Sequence, residues 1–114
     1  MSIKIANDND YKELISKGFS IVDFYSTTCV PCKMFARTLE DISLELPFIN
    51  IVKVNTTEYP ILGIENEIEA VPTIIITKDG KEVDREVGSM TENEVLEKIS
   101  KFFSFFQSLT IYHF

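Results

Sequence analysis

Several residue types are scarce in this chain, and their scarcity narrows what the protein can be. Among 114 residues there are two cysteines, one histidine and no tryptophan. A structural zinc site needs about four ligands, and two cysteines with one distant histidine, His113, do not supply them. No stretch approaches the roughly 18 consecutive apolar residues of a membrane-spanning helix. We therefore expect no metal site within one chain and no membrane segment.

Positive charge is scarce as well. Eleven Lys and Arg residues stand against 18 Asp and Glu residues, which gives a net charge of −7. Because no basic cluster is present to neutralise phosphates, a nucleic-acid-binding function is not expected. Residues 1–8 lack the basic region and long apolar stretch of a secretory signal. We therefore expect a cytoplasmic protein, in a compartment where structural disulfides are rare.

The length and composition are those of one globular domain. Apolar residues make up 45% of the chain and charged residues 25%, which are ordinary values for a domain with a single core. No repeat, linker or low-complexity segment divides it. We expect one domain over residues 1–106, followed by an apolar tail, 107–114, that either belongs to the same domain or is disordered.

The two cysteines stand two residues apart, in the sequence Cys29-Val30-Pro31-Cys32. This spacing allows two sulfurs on one helical turn to join as a disulfide and to part again. The preceding run, Ser20–Tyr25, is apolar and β-branched and predicts a buried strand. A strand, a short loop and a CxxC at the start of a helix are the context of a redox site. The alternatives are two structural cysteines, or half of a zinc or Fe–S site shared between two chains.

Hydrophobic periodicity and turn residues predict the element order βαβαβαββα. Alternating strands and helices favour parallel strands, and the turn at Asp79-Gly80 favours a closing antiparallel hairpin. The predicted strands are Ile3–Ile5, Ser20–Tyr25, Ile49–Asn55, Thr73–Thr77 and Val83–Val87. The predicted helices run from Asn7 or Asp8 to Ser16, from Cys32 to Leu46 before Pro47, over Tyr59–Ile64, and from a capping box of Thr91 and Glu94 to Phe106.

Three separated segments resemble the thioredoxin family, and together they cover roughly residues 3–103. Val22–Tyr25 followed by Cys29–Met34 resembles the family's strand and active-site segment. Val71–Thr73 resembles its cis-proline loop. Lys78–Lys81, followed by Val87-Gly88, resembles its closing hairpin. This resemblance implies an α/β protein with the thioredoxin fold, which is a five-stranded mixed β-sheet flanked by four α-helices.

Five positions depart from the family's pattern. Thr28 and Val30 replace its usual Trp before the first cysteine and its usual Gly after it. Arg37 replaces the proline that kinks the active-site helix, and Glu67 and Ala70 replace glycines beside the substrate groove. These changes bear on the reduction potential and on the choice of partner, and they leave the dithiol chemistry intact.

The two sulfurs have different expected roles. Cys29 is predicted to be the nucleophile, because unpaired N–H groups and the dipole at a helix N-terminus favour a thiolate. Cys32 would then attack the mixed disulfide and release the reduced substrate. The resemblance implies that Asp23 relays the proton of Cys32 and that Lys53 neighbours this acid, whose pKa burial should raise. The alternatives are a solvent-exposed strand-edge acid and a surface lysine.

The resemblance also implies a substrate-binding surface around Cys29, formed by Thr28, Val30, Pro31, Val71 and Pro72. A cis bond between Val71 and Pro72 would bring Val71 against the CxxC, where its backbone can pair with an extended substrate segment. The alternative is a trans proline that merely begins the fourth strand.

The resulting functional prediction is a thiol–disulfide oxidoreductase that reduces protein disulfides through a reversible Cys29–Cys32 bond. By the resemblance, its partners are disulfide-containing proteins and a flavin- and NADPH-dependent thioredoxin reductase. We expect a monomer that needs no cofactor on this chain. Two alternatives stay open at this point: a disulfide oxidant or isomerase, and a non-enzymatic binding module that uses the groove beside Val71 and Pro72.

Overall fold

The computed structural model describes residues 3–112, with side chains up to Phe102. Within these residues, strands and helices alternate in the predicted order βαβαβαββα. The strands are β1 (Ile3–Ile5), β2 (Phe19–Tyr25), β3 (Asn50–Asn55), β4 (Thr73–Lys78) and β5 (Lys81–Val87). The helices are α1 (Tyr11–Leu14), α2 (Val30–Glu45), α3 (Pro60–Glu65) and α4 (Glu92–Tyr112).

The five strands form one mixed sheet in the order β1-β3-β2-β4-β5. Strand β3 pairs in parallel with both β1 and β2, whereas β4 is antiparallel to β2 and to β5. Parallel β2 and β3 end at the same edge of the sheet, with Tyr25 opposite Asn55. The loops after these two strands therefore meet, and the first of them carries Cys29.

The sheet separates two apolar layers. One cluster joins the sheet to α2 and α4 and includes Ile21, Phe35, Leu39, Ile42, Ile51, Ile74, Val95 and Ile99. The other lies with α1 and α3 and includes Tyr11, Ile15, Val22, Phe24, Val52, Val54, Leu62 and Ile75. Because side chains alternate along a strand, Ile21 and Val22 face opposite layers. Asp23 therefore lies on the α2 face of β2.

Helix α2 follows from an apolar stripe at steps of three and four, as predicted. Its residues Phe35, Leu39 and Ile42 are fully buried against the sheet. The helix begins at Val30, with Cys29 as its N-cap, two residues before the predicted start at Cys32. Pro31 fits in the first turn because the backbone N–H that proline lacks has no partner within the helix there. The helix ends at Glu45, before Pro47.

Helix α1 and strand β5 begin at other residues than predicted, for local reasons, and α1 ends at Leu14, before the predicted Ser16. Helix α1 begins at Tyr11, because the side chain of Asn7 accepts hydrogen bonds from the amides of Asn9 and Asp10 and forms a turn instead. Strand β5 begins at Lys81, two residues earlier than predicted. The turn residues Asp79 and Gly80 have positive φ angles of 50° and 84°. Such a two-residue turn pairs the strands immediately on either side of it.

The capping box of α4 is confirmed, whereas its predicted end was wrong. The amide of Glu94 donates to Thr91 Oγ1, and the amide of Thr91 donates to Glu94 Oε1, both at 3.1 Å. The helix continues past Phe106 to Tyr112, and residues 107–112 include no proline or glycine that would end it earlier. The side chains of Phe103, Phe105, Phe106, Leu109, Ile111 and Tyr112, and residues His113 and Phe114, lie outside what the structure describes. The assignment of 107–114 as a tail stays a prediction.

Candidate active site

The two cysteines form a disulfide at the start of α2. Their Cα atoms are 5.2 Å apart. Cys29 has an extended backbone and caps the helix, and the backbone amide of Cys32 donates to Cys29 Sγ at 3.1 Å. This amide is one of the N–H groups that a helix N-terminus leaves without an intrahelical partner. The predicted pairing of Cys29 with Cys32 is therefore confirmed.

The two sulfurs differ in their access to solvent. Cys32 lies in the first turn of α2 and is 3% exposed. Cys29 is half-buried. The flanking residues are open to solvent: Thr28, Val30 and Pro31 are all exposed, and Val30 retains 64% of its surface. Cys29 is therefore the more accessible of the two cysteines.

The loop before β4 comes close to the outer sulfur. Sγ of Cys29 lies 3.8 Å from the carbonyl oxygen of Val71. The peptide bond between Val71 and Pro72 is cis, as predicted. Two hydrogen bonds hold the loop in place: Gly88 N donates to the Pro72 carbonyl at 2.8 Å, and Thr73 Oγ1 donates to the Ala70 carbonyl at 2.6 Å. Residues 70–73 thus form the wall of the site opposite α2.

Asp23 is a buried acid in the middle of the sheet. Its side chain is completely inaccessible, and neither carboxylate oxygen has a hydrogen-bond partner among the described residues. Burial raises the pKa of Asp23 to about 7, and the positive charge of Lys53 opposes part of that rise. Strand β2 lies between β3 and β4, so the alternative of a solvent-exposed strand-edge acid is wrong.

Lys53 is placed beside this acid by strand register. It lies on β3 directly opposite Asp23 on β2, and paired residues of adjacent strands share a face. Its side chain is half-buried, and Nζ lies 4.7 Å from the ring centroid of Tyr25. Burial also raises the pKa of the Tyr25 phenol, and the charge of Asp23 adds to this effect. Lys53 therefore neighbours the acid, as the resemblance implied, and its role in the reaction stays a prediction.

A cavity of about 240 Å³ opens beside the inner sulfur. Its walls include Cys32, Lys53 and Tyr25, together with Ser26, Thr27, Lys33, Ala36 and Asn55. Cys32 and Lys53 therefore line the same cavity. Asn55 was not predicted from the sequence: its side chain donates to Thr27 Oγ1 at 3.2 Å and accepts from the amide of Thr57 at 2.9 Å. Its position at the end of β3 was the available signal.

The structure shows the setting of two residues that depart from the family's pattern. Glu67 adopts a φ angle of 55°, in the left-handed region that glycine reaches without steric cost. Arg37 is exposed on α2.

The described part of the chain contains no helix that is long and apolar enough to cross a membrane.

Comparison with known proteins agrees with this geometry. A model of the thioredoxin family matches residues 2–101. The chain belongs to the thioredoxin family. Thioredoxin of Chlamydia trachomatis is 33% identical over 99 residues, which are 87% of this chain and 97% of that protein. Thioredoxin of Staphylococcus saprophyticus is 35% identical over 102 residues, which are 89% of this chain and 98% of that protein.

A solved structure extends the match to three dimensions. The X-ray structure of Fasciola hepatica thioredoxin superimposes with a TM-score of 0.76 at 32% identity, covering 89% of this chain and 98% of that one. The thioredoxin fold predicted from the sequence is therefore confirmed. With a bonded CxxC pair in this fold, the protein is a thiol–disulfide oxidoreductase of the protein-disulfide reductase type. Its substrates are disulfide-containing proteins.

Proposed function

We propose that Cys29 attacks the substrate and that Cys32 completes the reaction. The observation that carries this proposal is the asymmetry of the pair: Cys29 is the half-buried N-cap of α2, whereas Cys32 is 3% exposed. The amide that Cys32 directs at Cys29 Sγ, 3.1 Å away, favours negative charge on the outer sulfur.

The reaction transfers two electrons from the dithiol to the substrate. The Cys29 thiolate attacks one sulfur of the substrate disulfide, a new S–S bond forms, and the other substrate sulfur leaves with the electron pair and takes a proton. Cys32 then loses its proton and attacks Cys29 Sγ. The Cys29–Cys32 bond forms and the mixed disulfide breaks, and the second substrate sulfur leaves with the electron pair and takes a proton to become a thiol.

Asp23 accepts the proton of Cys32 in this scheme. A general base is most effective when its pKa lies near the working pH, and burial places the pKa of Asp23 at about 7. Lys53 modulates this pKa, because its charge favours the ionised carboxylate. Asp23 and Lys53 are paired on adjacent strands, and Lys53 lines the same cavity as Cys32, which supports placing the acid near the inner cysteine.

The substrate binds across the surface formed by Thr28, Val30, Pro31, Val71 and Pro72. The substrate peptide lies extended beside Val71 and forms backbone hydrogen bonds with it, a mode that is tolerant of sequence. The 3.8 Å separation of the Val71 carbonyl from Cys29 Sγ supports this placement, because a peptide paired there has its cysteine next to the nucleophile.

Two serine variants test the order of attack. Cys32→Ser should accumulate a mixed disulfide with insulin through Cys29, and Cys29→Ser should form none. The variants are matched, because each removes the same internal disulfide. Reaction mixtures quenched with an alkylating agent and measured by mass spectrometry give the result. Turnover of insulin by Cys29→Ser at the wild-type rate would contradict the assignment.

A regenerating partner is also part of the proposal. Each cycle leaves the Cys29–Cys32 disulfide, so two electrons must return to it, and we assign them to an NADPH-dependent thioredoxin reductase. In a mixture of thioredoxin reductase, NADPH and insulin, NADPH should be consumed only when this protein is added. If glutathione with glutaredoxin reduced the protein and the reductase did not, this assignment would be wrong.

The protein acts as a cytoplasmic monomer in this proposal. A compartment with a reductase keeps the dithiol in its active form. Light scattering should give a mass near 13.1 kDa, and cell fractionation should place the protein with cytoplasmic markers. A mass of twice this value would contradict the monomer, and recovery in the extracellular fraction would contradict the cytoplasmic location.

A further inference from the structure

The side chain of Arg85 on β5 donates four hydrogen bonds at a place away from the cysteines. Its Nη2 donates to the carbonyl of Asn66 at 2.8 Å, and its Nη1 donates to the carbonyl of Glu67 at 3.2 Å. The other side of the guanidinium binds Glu82 through two hydrogen bonds of 2.8 and 2.9 Å. The fork geometry of arginine suits such simultaneous contacts.

The two carbonyls that Arg85 binds lie where the chain leaves α3. Helix α3 ends at Glu65, and its last turn is closed by hydrogen bonds from the amides of Glu67 and Ile68 to the carbonyls of Ile64 and Gly63. The left-handed φ of 55° at Glu67 turns the chain toward residues 68–71. A side chain other than glycine takes this conformation at a steric cost, so surrounding contacts must hold it.

This turn leads directly to the wall of the active site. Val71 lies four positions after Glu67, and its carbonyl oxygen lies 3.8 Å from Cys29 Sγ. The far end of the segment is fixed by the hydrogen bond from Gly88 N to the Pro72 carbonyl. The segment is therefore anchored at one end by Arg85 and at the other by the residue that follows β5.

We propose that Arg85 is a positioning residue for substrate binding. By holding the carbonyls of Asn66 and Glu67, it fixes the path of residues 68–71, and the backbone of Val71 is then presented to an extended substrate peptide beside Cys29. This inference rests on the proposed pairing of substrate with Val71. Arg85 itself touches neither the substrate nor the sulfurs.

The experiment compares substrates that can and cannot pair through their backbone. The reduced protein is oxidised by a peptide disulfide, by the same peptide N-methylated beside its cysteine, and by hydroxyethyl disulfide, which has no peptide group. Wild-type protein should prefer the unmethylated peptide. Arg85→Gln should lower only the rate constant for that peptide, by about three- to tenfold, because the loss of charged hydrogen bonds frees the segment.

Two further variants separate positioning from general stability. Adding Glu67→Gly to Arg85→Gln should restore the rate, because glycine adopts the left-handed turn without the clamp. Lys98→Gln is the matched control, because Lys98 pairs with Asp84 on β5 at 2.6 Å, outside the segment 66–72. Its rates with all three substrates should equal those of the wild type.

The outcomes distinguish the two levels of the proposal. If the wild-type protein reduced both peptides equally fast, the pairing with Val71 would be wrong, and the role of Arg85 would fall with it. If the wild-type protein preferred the unmethylated peptide and Arg85→Gln retained that preference, only the role of Arg85 would be overturned. An equal loss of rate with hydroxyethyl disulfide would also overturn it.

Discussion

Asp23 and Lys53 lie directly opposite each other on the parallel strands β2 and β3, yet neither oxygen of Asp23 has a hydrogen-bond partner among the described residues. A buried carboxylate without partners is costly when ionised. The protein therefore retains an acid that destabilises the fold at alkaline pH. Such a destabilising acid is consistent with the proposed role of Asp23, which is to accept the proton of Cys32.

The first prediction concerns stability against pH. Folding raises the pKa of Asp23 from 3.8 to about 7, so the folded state binds a proton more readily than the unfolded state. The free energy of unfolding should therefore fall as the pH rises between these two values. A shift of roughly three pKa units corresponds to about 4 kcal/mol. Asp23→Asn should be more stable than the wild type by a large part of this amount near pH 9, and similar to it near pH 4.

Urea denaturation followed by circular dichroism measures the difference, with both proteins in the disulfide form. The chain contains no tryptophan to report unfolding by fluorescence. If the wild type were as stable as Asp23→Asn at alkaline pH, other interactions in the folded state would offset the cost of ionising the Asp23 carboxyl, and the prediction would be wrong.

The second prediction concerns the rate at which Cys32 resolves the mixed disulfide. If Asp23 accepts the proton of Cys32, this rate should rise as the pH passes through about 7, the pKa of the buried carboxyl. Asp23→Asn should lose this rise, and its formation of the mixed disulfide through Cys29 should be nearly unchanged. Rapid quenching with acid and mass spectrometry separates the two steps. An effect on formation alone would contradict the relay.

The third prediction concerns the start of α4. Thr91→Ala removes the hydroxyl that accepts from the amide of Glu94. Loss of such a cap costs about 1 kcal/mol of unfolding free energy. Ser100→Ala is a matched control, because Ser100 is an exposed residue within the same helix. It should change stability by less than about 0.5 kcal/mol, and insulin reduction by both variants should equal that of the wild type.

Local sequence patterns predicted most of the fold and the reactive residues. The β-branched runs located the strands, and the alternation in Ser20–Tyr25 placed Asp23 on the opposite face from Val22 and Phe24. The apolar stripe through Phe35 and Leu39 located α2. These features follow from helical and strand periodicity, which each segment carries in its own residues.

The features that were missed depend on contacts between distant segments. Arg85 reaches the carbonyls of Asn66 and Glu67 across 18 or 19 positions in sequence, and periodicity contains no record of such a contact. Asn55 joins the site through Thr27, from the neighbouring strand end. The left-handed turn at Glu67 had one indirect signal, the family's glycine at that position. Tertiary contacts determined these features, and local propensity did not.

The last prediction isolates the role of Lys53. Its charge lowers the pKa of Asp23 against the effect of burial, so Lys53→Met should raise that pKa above about 7. The pH at which resolution of the mixed disulfide accelerates should then move upward, and the pH range over which stability falls should extend upward with it. Lys33→Met is the control, because Lys33 lines the same cavity but is exposed on α2, and its profile should be that of the wild type. If the pH profiles of Lys53→Met and wild type coincided, Lys53 would not act on the pKa of Asp23. If Asp23 alone determines the pH dependence of both the resolution rate and the stability, both profiles should shift by the same amount.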